Sequence, residues 1–138
     1  MDIIGNRTII DVLHEKSSLY GDKTFLLFED NNKHVTEYTY KEFLNRVNRF
    51  SNVLLEHGVK QGDKVTIHLP NSSDFIVSWF ALANIGAVMV PTNILSTASE
   101  MEYLMGHSES TLLITEEAYR GRGAAAPGRR VFLGLGSN

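Results

Sequence analysis

The sequence predicts an α/β fold: a β-hairpin with two helices, followed by a parallel β-α-β-α-β unit. Two observations carry this reading. From Lys64 to Pro91 the chain runs VTIHLP, then NSSD, then FIVSWFALANIG, then AVMVP, which is strand, cap, helix, strand. Parallel strands need such a crossover, because a helix must return the chain to the start of the next strand. Upstream, Thr8 with Asp11 and Thr39 with Glu42 each place an acid three residues after a threonine, ahead of an apolar-periodic run. That spacing is the capping box of a helix start.

The elements follow in order. Thr8 to Leu19 is a helix with Ile9, Val12 and Leu13 on one face, stopped by Tyr20-Gly21-Asp22. Thr24 to Glu29 is a strand by composition, and Asp30-Asn31-Asn32-Lys33 is turn chemistry that returns the chain through Val35 to Tyr38. The helix opened by Thr39 carries Tyr40, Phe43, Val47, Phe50 and Leu54 at helical spacing and ends at His57-Gly58. Next, Val65, Ile67 and Leu69 alternate with Thr66 and His68. The helix from Phe75 to Gly86 is apolar nearly all round, the pattern of a helix covered on both sides. Ala87 to Val90 is a short apolar strand, as expected inside a parallel sheet, Thr97 to Met105 is a helix with Glu100 and Glu102 in its early turns, and Leu112 to Ile114 is a third parallel strand. Right-handed crossovers are expected to put both later helices on the same face of the three strands. The Thr39–His57 helix is then expected on the other.

Composition narrows the function. The chain has 138 residues, 43% hydrophobic and 21% charged, an ordinary globular balance with material for one domain at most. It has no cysteine, which removes disulfides, thiolate nucleophiles and cysteine-based zinc sites. No apolar run reaches membrane-spanning length, and the N-terminus lacks the pattern of a signal peptide, so the expected location is cytoplasmic. Residues 1–118 hold all sixteen acids and nine of the thirteen basic residues. This acidic body argues against a nucleic-acid partner. Residues 119–138, RGRGAAAPGRRVFLGLGSN after Tyr119, hold four Arg and no acid. This abrupt change marks an Arg/Gly/Ala-rich tail, expected to be disordered or foreign to the fold, through vector sequence or translation out of frame. The domain division is therefore 1–118 and 119–138.

Each chemically suggestive residue also has a plainer role. Asn71 to Asp74 sits where an anion could meet a helix N-terminus, but Asp74 would repel it, which favours an ordinary cap. His14, His34, His57, His68 and His107 show no paired metal spacing, and His68 reads as a satisfied sheet histidine. Trp79 and Phe80 could line an acyl pocket, yet with Phe75 and Ile76 they match a core face. Gly86 reads as a helix-terminating glycine. Gly134-Leu135-Gly136 has no helix after it to bind a dinucleotide. No catalytic, cofactor-binding or metal-ligating residue is assigned.

Three passages resemble a known family, the AMP-forming acyl-CoA ligases of the adenylate-forming superfamily. They are YTYKEF (Tyr38 to Phe43), GVKQGDKVTIHLPNSSDF (Gly58 to Phe75) and LANIGAVMVPTN (Leu82 to Asn93). Within the family, MDIIG, HLPNSSDFI (His68 to Ile76) and WFALANIGAVMVPTN (Trp79 to Asn93) are similar to ligases of crotonobetaine- or carnitine-like acids. The likeness covers about residues 1–118 and implies an N-terminal fragment of such an enzyme. The reaction it implies has two halves. A carboxylate attacks the α-phosphate of ATP to give an acyl-adenylate and pyrophosphate, and the thiol of CoA then displaces AMP. ATP, Mg²⁺ and CoA are thus expected for the parent enzyme, with a small carboxylic acid as substrate and a fatty acid as the alternative. The family's Ser/Thr/Gly-rich loop ending in Lys cannot be placed here, so the chain alone is expected to be inactive. Its unshared apolar surface is expected to promote self-association. Two other classes remain open at this point, a small independent nucleotide-binding module and a protein-interaction module.

Overall fold

The computed structural model describes residues 5–116 and 130–133. Its elements are α1 (Ile9–Tyr20), β1 (Thr24–Glu29), β2 (Val35–Thr39), α2 (Tyr40–Glu56), β3 (Lys64–His68), α3 (Ser73–Asn84), β4 (Val88–Pro91), α4 (Ala98–Ser108), β5 (Leu112–Thr115) and β6 (Arg130–Leu133).

Side-chain caps set where the helices begin. Thr8, Thr39 and Thr97 accept a hydrogen bond from the amide of Asp11, Glu42 and Glu100, and each acid accepts one back from its threonine's amide. The third box, at Thr97, escaped the sequence reading although its spacing is the same. Ser72 caps α3 by accepting from Phe75 N at 3.2 Å. Glycines end two helices. Gly58 and Gly86 have φ of +82° and +72°. Val59 N and Ala87 N then reach back to Leu54 O at 3.1 Å and Leu82 O at 2.9 Å. This is the left-handed cap that satisfies the last carbonyls of α2 and α3. A side chain at Gly86 would also meet Gln61 at 2.9 Å.

β1 and β2 form the expected antiparallel hairpin. The other strands form one parallel sheet in the order β4-β3-β5-β6. Two expectations change here. First, the sheet does not stop at Leu112–Ile114. Arg130–Leu133, from the segment set apart by composition, runs parallel to β5, with Val131 opposite Leu113 and Phe132 opposite Ile114. The four residues RVFL suit a strand, but the glycines and arginines around them dominate the segment's average. Residues 117–129 and 134–138 of that segment lie outside the described residues.

Second, the two crossover helices lie on opposite faces. β3 sits between β4 and β5. The chain steps outward from β3 to β4, then returns across β3 to reach β5. A right-handed crossover that reverses direction must use the other face. The packing agrees. Val77, Ala81 and Leu82 of α3 share a core with Val65, Ile67, Leu112 and Ile114. Met101 and Met105 of α4 pack on Leu113 instead. Nor does α2 take the face opposite α3, where it is expected from sequence. It joins α3, contributing Phe43, Val47, Phe50 and Leu54 to the larger core. Phe43 lies edge-on to Phe80 at 5.2 Å and 4.5 Å from Phe25, tying α2 to both α3 and the hairpin. Phe80 thus belongs to the core, and Trp79 packs against it at 5.2 Å.

Candidate functional site

Parallel sheets present their strand carboxyl ends to ligands. At that end of β3 and β4 lies a groove of about 320 Å³, lined by Leu69, Pro70, Asn71, Phe75, Thr92 and Asn93 among others. Thr92 holds its wall in place. Its amide donates to Ile67 O at 3.0 Å, and its hydroxyl donates to the same carbonyl at 3.1 Å. A hydroxyl has one hydrogen to give. The 2.8 Å contact with His68 Nδ1 therefore has the imidazole N–H donating to Thr92 Oγ1. His68 is buried. This bond gives it a polar partner in the interior, as a buried histidine requires. Asn93 Oδ1 accepts from Leu95 N at 2.9 Å and so shapes the loop beyond β4.

A second groove, also of about 320 Å³, runs between β2 and α2, lined by Glu37, Tyr38, Glu42, Asn45, Arg46 and Arg49. Arg46 is its centre. It donates to Asp74 Oδ1 at 3.0 Å and to the Tyr38 hydroxyl at 3.0 Å, and its guanidinium lies 4.9 Å from the Tyr38 ring centroid. Burial pushes the Asp74 carboxyl above its ordinary value, against the opposing pull of Arg46. Glu42 differs. The amide and hydroxyl of Thr39 hold its carboxyl below the ordinary value.

This places the residues singled out from sequence. Asn71 to Asp74 is a helix cap with its acid paired to Arg46. His68 is a sheet histidine bonded across to Thr92, and His57 Nδ1 lies 2.8 Å from Val53 O at the end of α2. His107 stacks on Tyr103 at 5.7 Å. The Arg46–Asp74 and His68–Thr92 contacts were not foreseen. Their partners stand 28 and 24 residues apart, and no local pattern links them.

Phosphoryl chemistry needs cations and donors aimed at developing charge. Among the described residues, no charged side chain lines the first groove. In the second, Arg46 is committed to Asp74 and Tyr38, and two glutamates sit beside it. Among the described residues, no group of three or more His, Asp or Glu could hold a metal ion. Neither groove fits ATP or Mg²⁺, so no step of that chemistry can be placed on either.

The profile of the AMP-binding enzyme family matches residues 13–131. The chain belongs to the AMP-binding enzymes. The family match continues past residue 118, through part of the Arg/Gly/Ala-rich segment and into β6. Among curated relatives, the crotonobetaine/carnitine–CoA ligase of Salmonella typhimurium (strain LT2) is 35% identical over 119 residues, covering 86% of this chain and 23% of that protein. The corresponding ligase of Salmonella enteritidis PT4 is 36% identical over 115 residues, covering 83% and 22%. The chain thus spans less than a quarter of the length of these curated relatives. Among solved structures, a protein assigned as a long-chain-fatty-acid CoA ligase from Rhodopseudomonas palustris superposes with a TM-score of 0.81 at 28% identity, covering 98% of this chain and 35% of that one. The N-terminal subdomain of Klebsiella oxytoca NpsA gives 0.78 at 24% identity, covering 92% and 31%, and supports the fold alone.

Proposed function

We propose that the chain is the N-terminal part of an ATP-dependent ligase that joins a small polar acid of the crotonobetaine or carnitine type to CoA. Carboxylate, ATP and CoA would give acyl-CoA, AMP and pyrophosphate in the cytoplasm. The observation that carries this reading is the 35% identity to crotonobetaine/carnitine–CoA ligase over 119 residues. ATP, Mg²⁺ and CoA would be bound by parts of the enzyme beyond this chain, since neither groove here fits the nucleotide or the metal. The role of these residues is support, a packed α/β layer against which the reacting parts are held, and the 138-residue chain alone does not turn over. Exposed side chains such as Leu95 (80%) and Tyr103 (68%) would promote its self-association, which size-exclusion chromatography measures.

The test is pyrophosphate release with ATP, Mg²⁺ and CoA, run on the protein from the complete reading frame and on this chain. The complete protein is expected to respond to crotonobetaine or carnitine. A response to fatty acids only would move the substrate to that class, and no response to any acid would overturn the ligase reading. Turnover by the 138-residue chain would overturn the supporting role.

A further inference from the structure

We draw no further inference here: the strongest candidate, the uncharged groove at the carboxyl ends of β3 and β4 walled by Asn71, Phe75 and Thr92, carries nothing because nothing in the structure shows what occupies it.

Discussion

On the α2/α3 face of the parallel sheet, Val65, Ile67, Leu112 and Ile114 meet a layer of Phe43, Val47, Phe50, Leu54, Val77, Ala81 and Leu82. On the α4 face the apolar cluster among the described residues is Met101, Met105 and Leu113. The neighbours of that cluster are polar. Thr66, His68, Ser110 and Thr115 are buried, with Thr66 Oγ1 donating to Ser110 Oγ at 2.8 Å and His68 bonded to Thr92. Both faces exclude water, but by different means. The first gains from apolar area and close ring packing, which scale with every atom removed from solvent. The second spends burial on groups that must each find a partner, and its net gain per bond is small. The α2/α3 face is therefore expected to hold the fold, and the α4 face to yield first.

The largest test of this contrast is Phe43→Ala. The ring is fully buried and touches Phe25 and Phe80. Its loss should cost about 3–5 kcal/mol, read as a fall in the urea midpoint, which is enough to unfold a marginal unit. The sharpest test uses two neighbours on one strand. Ile114→Ala opens a cavity in the large core and should cost about 3–4 kcal/mol. Leu113→Ala opens one between two methionines, whose flexible chains can close around it, and should cost about 2 kcal/mol. Equal costs, or the reverse order, would remove the distinction between the faces.

Caps probe the same contrast at smaller scale. Thr39→Ala on α2 and Thr97→Ala on α4 remove the same box and should each cost about 1 kcal/mol. A much larger loss at Thr39 would show that α4 melts apart from the rest of the fold. The boxes also set the acid response. The threonine amides and hydroxyls hold Asp11, Glu42 and Glu100 below their ordinary values of 3.8, 4.5 and 4.5. A depressed carboxylate adds stability above its unfolded value and loses it as pH falls through the folded one. Stability should therefore drop below about pH 4.5, and Thr39→Ala should flatten that drop in urea titrations.

Asp74→Asn should have the smallest effect. Because burial raises this carboxyl despite Arg46, its contribution has the opposite sign: it favours the fold at low pH and weakens as pH rises through the raised value. The pair's attraction and its desolvation largely offset each other, and Arg46 keeps Tyr38. The substitution should shift stability by under about 1 kcal/mol at neutral pH. A loss of several kcal/mol would show that the pair, rather than the aromatic core, joins α2 to α3.

Much of the fold was legible from sequence. The boxes at Thr8 and Thr39, the stripe from Tyr40 to Leu54, the alternation of Val65, Ile67 and Leu69, and the terminating Gly58 and Gly86 are all relations within a few residues. They act through hydrogen bonds and spacing inside one element, so the chain carries them wherever that element goes. Thr97 with Glu100, at the start of α4, has the same spacing and closes the same box, whereas the glycines around RVFL hide its strand pattern. Strand order was not legible. Nothing local to β3 says whether it will be an edge or a centre, because its alternating residues serve either place. Only once β3 was flanked by β4 and β5 did handedness send α3 and α4 to opposite faces and bring α2 beside α3. The same step made the Arg46–Asp74 and His68–Thr92 contacts, which join residues that have no relation until the sheet brings them together.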